Sequence, residues 1–208
     1  MISILLLLSL ILITQLLTVS FNIVIMSFMM LIIMYKFERL FTYTKTLYTL
    51  SFIIAIVSAF IYDSGYVDFI VKGYLSISIY FIIMFAGVFP KRLKITQLMI
   101  KYRGLLSIMG FILVTPHALL HLFEFLNGIN LFGIAAYALM VPLTLISFQV
   151  VRREIKPKDW NNILKASYVI YTLLFLHVLW VAPYEDKLLY IVILTLYINN
   201  KLLLEFKK

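Results

Sequence analysis

Histidine is scarce in this 208-residue chain, with three copies, and cysteine is absent. His117 and His121 stand four residues apart in RGLLSIMGFILVTPHALLHLFEF, and Glu124 follows three residues later. At helical spacing all three share one face. The third histidine, His177, lies near the end of WNNILKASYVIYTLLFLHVLW. His117 is 13 residues beyond Gly104 and His177 is 17 beyond Trp160. The two sites therefore reach similar depth if both helices start on the same side. Two imidazoles from different helices at one depth can clamp a flat cofactor whose metal takes axial nitrogens, as haem does, and a low-spin iron so held transfers electrons with little rearrangement. Zinc held by His117, His121, His177 and Glu124 is an alternative, a set of three nitrogens and one oxygen. Ordinary packing is a third reading, since histidines near helix ends often lie in a core or at an interface. The lack of cysteine removes disulfides, thiolate catalysis and iron–sulfur ligation. Gly-rich phosphate loops and dinucleotide fingerprints are also missing.

The elements that must position these residues are read from the distribution of apolar residues. Hydrophobic residues make up 64% of the chain and charged residues only 13%, whereas soluble domains are roughly 45–50% apolar. Composition therefore predicts an all-α, polytopic transmembrane bundle of about eight helices, with barrels disfavoured by the long unbroken apolar runs. The segments are 2–17, 20–35, 44–61, 70–89, 104–123, 129–149, 162–181 and 187–202. A single helix over residues 1–35 would be about 50 Å long, beyond an about 30 Å hydrocarbon core, so a break is expected near Ser20. The opening residues lack a positive n-region and a cleavage site, and read as a retained helix rather than a signal peptide.

Under this count 16 of the 18 lysines and arginines fall on one side, with only Lys72 and Lys187 on the other. The positive-inside rule then predicts a multi-pass protein of the cell membrane, with both termini and the links at 36–43, 90–103 and 150–161 in the cytoplasm. The formal net charge of +9 is assigned to loops facing anionic lipid, and nucleic acid is not expected as a partner. Trp160 and Trp180 suit interface anchors at the two ends of one segment. Pro116 is expected to free a carbonyl one turn back and to bend the helix beside His117.

From the fourth segment onward the chain resembles the ferric-reductase-like transmembrane family, in particular the haem-binding membrane subunits of bacterial methionine-sulfoxide reductase systems. The stretches that carry the resemblance are KGYLSISIYFIIMFAGVFPKRL, KYRGLLSIMGFILVTPHALLH, GIAAYALMVPLTLISFQVVRREI and DWNNILKASYVIYTLLFLHVLW, taken in this order and spacing. The resemblance implies a ferric-reductase-like core over 44–208, with its six helices in 44–202, and two additional N-terminal helices over 1–43. The family's tryptophan-led helix reads Trp, two residues, Leu, His, Arg, with a second histidine thirteen residues beyond the first. Here Ile163, Leu164 and Lys165 stand at Leu, His and Arg, and His177 occupies the second histidine position. The outer ligand position is kept and the inner one is leucine, which cannot ligate iron.

What the resemblance implies is a single haem b in the outer half of the membrane. Its ligands would be His177 and one of His117 or His121, with His117 preferred because it lies deeper. The function expected is membrane electron transfer toward an extracytoplasmic acceptor, with a cytoplasmic or membrane donor supplying electrons from flavin or quinone. The alternative is a non-redox membrane protein, a transporter subunit or a scaffold, that keeps the fold without haem.

Overall fold

In the computed structural model the described residues are 19–62, 67–122 and 130–205. The predicted segment 2–17, and any break ahead of Val19, lie outside them. Helix α1 is Val19–Lys36, and a 3-10 helix, Glu38–Thr42, follows it. Next come α2 (Thr44–Phe60), α3 (Asp68–Val71), α4 (Tyr74–Phe85), α5 (Lys94–Lys101) and α6 (Arg103–Leu120). The second half contains α7 (Leu131–Ser147), α8 (Gln149–Glu154), α9 (Pro157–Val181) and α10 (Tyr184–Glu205). Every helix and strand assignment among the described residues is helical.

The centre of the bundle is α4, whose run from Ile79 to Met84 is buried continuously. A helix apolar all round must be covered on every side, and α1 and α6 do most of that covering. Against α1 the contact is a pair of serines. Ser27 Oγ donates to the Ile23 carbonyl (2.8 Å) and to the Ser78 carbonyl (3.2 Å), and Ser78 Oγ donates to the carbonyls of Tyr74 (2.7 Å) and Ile23 (3.0 Å). Each hydroxyl thus bonds its own helix and the neighbouring one, which small side chains permit at close range. Against α6 the contact is Gly110. A Cβ there would lie 3.1 Å from Tyr80 Cε2 and 3.3 Å from Ile79 Cγ2, and Ser76 Oγ donates to the Gly110 carbonyl at 2.7 Å. Helix α2 adds Ser51, Ala55 and Ser58, one face at i, i+4 and i+7, and α2 lies along α6.

Two expectations are corrected by these elements. Among the described residues, two helices are long and apolar enough to cross a membrane, α6 and α9. Helix α4 has 12 residues, about 18 Å, against an about 30 Å hydrocarbon core. Helices α2 and α7 stop at 17 residues each, and α10 opens with Glu185, Asp186 and Lys187. The chain therefore forms a densely packed helical bundle with ten α-helices among the described residues, not eight spanning segments around a six-helix ferric-reductase-like transmembrane core. The multi-pass topology with both termini in the cytoplasm falls with it, because the positive-inside count presupposed eight crossings. Backbone breaks are the physical reason. The expected segment 70–89 is divided at Gly73, which adopts φ +76, and its helix ends at Phe85. The basic links at 90–103 and 150–161, read as loops, contain α5 and α8.

Helix α5 is amphipathic and buries Thr96, Leu98 and Met99. Its last residue, Lys101, meets Glu38 of the 3-10 helix at 2.7 Å. The Lys101 ammonium holds the Glu38 carboxyl below its ordinary value, and Glu38 in turn raises Lys101. For a depressed carboxylate, the stabilisation is complete above the unfolded value of about 4.3 and is lost as pH falls through the lower folded value. At this exposed site the effect is small and screened by salt.

Two outcomes test the packing. Gly110→Val lowers stability by about 1–3 kcal/mol, because the added carbons must displace Tyr80 or Ile79, and thermal unfolding followed by circular dichroism measures it. Glu38→Gln lowers the melting temperature slightly at neutral pH and low salt, and that difference from the unmodified protein vanishes in acid. A difference that persists below the acid transition of Glu38 would rule out the ion pair as its cause.

Candidate functional site

The last turn of α6 carries His117, and His121 caps the helix. His177 lies one turn before the end of α9. Helix α7 lies against both α6 and α9, so it sets the spacing between the two histidine-bearing helices. Phe111 of α6 stacks on Tyr137 of α7 at 5.2 Å between ring centroids, and Tyr137 Oη donates to Thr115 Oγ1 at 3.2 Å. These contacts fix α6 against α7 just before the histidines.

All three histidines come together. The ring centroid of His117 is 4.7 Å from that of His121 and 6.0 Å from that of His177, with interplanar angles of 60° and 70°. Their identification from spacing alone therefore selects residues that are neighbours in space. Phe132 and Trp180 meet edge to face at 6.4 Å, beside the Gly133 and His177 positions on α7 and α9.

The backbone around the pair was not foreseen. His117 Nδ1 lies 2.9 Å from the Val71 carbonyl oxygen. A carbonyl only accepts, so Nδ1 carries the hydrogen and Nε2 of the neutral ring carries the lone pair. Such a second-shell carbonyl is what orients a ligating imidazole and raises its basicity. Val71 is brought there by α3, which packs on α6, and by the left-handed turn at Gly73. A Cβ at Gly73 would sit 3.5 Å from His117 Cδ2 and Cγ, in ordinary contact.

Gly133 is tighter. A Cβ there would lie 2.7 Å from His177 Nδ1 and 2.9 Å from Cε1, closer than a side chain can approach without displacing the ring. Asn130 precedes α7 and its Oδ1 accepts from the Gly133 N–H at 3.2 Å, which places Gly133 in the first turn. His177 Nδ1 is buried there and makes no hydrogen bond to a described residue. A buried ring nitrogen left so costs free energy unless it carries no hydrogen and meets an electrophile, or a polar group joins it. The one sequence signal for these positions was an isolated glycine inside a helical pattern.

The zinc alternative fares differently. Glu124 lies outside the described residues, and among those described no three His, Cys, Asp or Glu side chains are placed to hold a metal ion together. His117 and His177 place nitrogen donors from two helices beside one another. Leu164, at the inner position of the resemblance, is also on α9, 13 residues before His177 and so about 20 Å along the helix.

Gly133→Ala displaces the His177 ring, shifting its imidazole NMR resonances and lowering stability by about 1–3 kcal/mol. Gly73→Ala costs about 1–2 kcal/mol through its left-handed backbone and leaves the His177 resonances in place. Unchanged His177 resonances in Gly133→Ala would disprove the close approach. No family model, curated protein or solved structure matches the chain, so its site is read from its own geometry.

Proposed function

We propose that the chain is a b-type electron-transfer protein in which His117 and His177 hold one haem. The observation that carries this reading is the 6.0 Å separation of the His117 and His177 rings, contributed by two different helices. His117 and His177 would each offer a ring nitrogen to the iron of one haem. Haem, when bound, supplies one-electron redox chemistry. Each flanking residue has a distinct part. The Val71 carbonyl fixes the His117 tautomer so that Nε2 is the donor nitrogen, and Gly133 leaves room for the His177 ring. His117 is preferred to His121 because it has this carbonyl partner and is the more buried of the two.

Electrons would come from a partner that carries flavin or quinone, and an acceptor protein would take them. Lipid is proposed as a further partner, because large apolar side chains are widely exposed, among them Phe60 at 85% and Tyr184 at 89%. Isolated exposed apolar residues need no explanation, but a surface this apolar favours a non-aqueous neighbour. Leu164 supports a second reading, a non-redox protein in which the histidines are packing residues.

Protein purified from haem-replete cells is expected to show a low-spin, six-coordinate b-type spectrum and close to one haem per chain by pyridine haemochrome. His177→Ala and His117→Ala abolish the low-spin signature, whereas His121→Ala keeps it. A folded protein without a Soret band would overturn the proposal in favour of the non-redox reading.

A further inference from the structure

Away from the histidines, the turn between α8 and α9 encloses an open groove of about 430 Å³ lined by Gln149, Arg152, Arg153, Ile155, Pro157 and Trp160. That volume falls within the roughly 300–1,000 Å³ of small-molecule sites. Its polar lining is one-sided. Arg152, Arg153 and Gln149 line the groove, while Glu154 and Asp159, the acidic residues of the same stretch, do not. Neither arginine is in an ion pair with a described carboxylate. The Arg152 guanidinium carbon lies 4.8 Å from the centre of the Trp160 ring. A cation–π contact of this kind holds the planar fork in one orientation without using its N–H donors.

We propose that this groove binds a phosphate ester. Arg152 and Arg153 present paired N–H donors suited to phosphate oxygens, which arginine recognises in bidentate fashion. Gln149 adds a neutral donor. A bare phosphate ion fills only a fraction of the groove, and the remainder is lined by the apolar faces of Ile155, Pro157 and Trp160. The ligand is therefore a phosphate joined to an apolar or planar body. A nucleic-acid strand is the poorer fit, because a repeating backbone calls for a longer basic track with several aromatic platforms. Two sources share the chemistry, an anionic phospholipid head and a soluble phosphate monoester. This site is independent of whether the histidines hold haem.

The chain has two tryptophans, so Trp180→Phe leaves Trp160 as the reporter at the groove. Full-length Trp180→Phe protein in a nonionic detergent is titrated with dihexanoyl phosphatidate, phenyl phosphate and dihexanoyl phosphatidylcholine, and Trp160 emission is followed. A saturable change is expected with phosphatidate, phenyl phosphate or both. Phosphatidate alone identifies a lipid head as the source, phenyl phosphate alone a soluble ester, and both together the phosphate as the recognised group. Arg152→Gln and Arg153→Gln should each weaken binding about tenfold or more, with circular dichroism unchanged. If an arginine variant alters the circular dichroism, Gln149→Leu, which removes the neutral donor alone, should weaken binding in its place. The proposal is overturned if no ligand gives saturation, if phosphatidylcholine binds as well as phosphatidate, or if folded variants bind as the parent does.

Discussion

The close approach of α4 to α6 is the constraint on which the rest of the molecule depends, and it leaves little room for a side chain at Gly110. A Cβ there would press on Tyr80 and Ile79, and Ser76 Oγ donates to the Gly110 carbonyl. Held there, α6 continues two turns to His117, while the chain entering α4 passes through Gly73 and Val71 beside it. The 2.9 Å bond from His117 Nδ1 to Val71 joins two segments whose relative height is set by the Ser76–Gly110 crossing. A shift of α6 by one residue would move the imidazole by about 1.5 Å along the axis and rotate it by about 100°. No side-chain rotamer can recover that bond after such a change. The position of the ring is thus a property of the helix crossing, not of the last turn alone.

His177 is held by a parallel arrangement. Its helix, α9, packs on α7, and α7 buries Ala136, Met140 and Thr144 at four-residue spacing. Small residues let two backbones come close, and Gly133 extends that closeness to the first turn of α7, where the ring of His177 takes the place of a side chain. Tyr137 faces the other neighbour and fixes α6 through Phe111 and Thr115. The histidine pair therefore sits at the meeting of two helix packings that share α7. The packing on α9 turns on Gly133 and Ala136, which carry little or no side chain, whereas the packing on α6 turns on the Phe111–Tyr137 stack and one hydrogen bond.

Much of this was legible in the chain and much was not, for physical reasons. The histidine-bearing helices were recognisable because a long apolar run of constant character describes α6 and α9 well, and counting residues along each predicted the similar depth of His117 and His177. Length prediction failed where a local backbone event decided the outcome. Gly73 ends one helix and begins another through a left-handed conformation, which composition over a twenty-residue window cannot detect. The link at 90–103 looked like a loop because of its Pro90 and five cations, yet Thr96 and Met99 stand three apart and, with Leu98, are buried on a helix. Charge counting concealed that periodicity. Gly133 could be noticed only as an isolated glycine in a helical pattern, because the ring it accommodates comes from a residue 44 positions later.

Leu164 bears on how a bis-histidine centre in this chain would exchange electrons. A second centre on α9 at the inner position would lie about 20 Å from the first, 13 residues along the same helix, and leucine offers it no donor atom. If the proposed single centre is present, the electron would enter and leave around the His117 and His177 end. Among the described residues, Phe132 and Trp180 meet at this end and His121 is exposed there. The same geometry separates the two roles of the neighbouring imidazoles. His117 is tied to a backbone carbonyl, whereas His121 stands exposed at the C-terminal cap of α6.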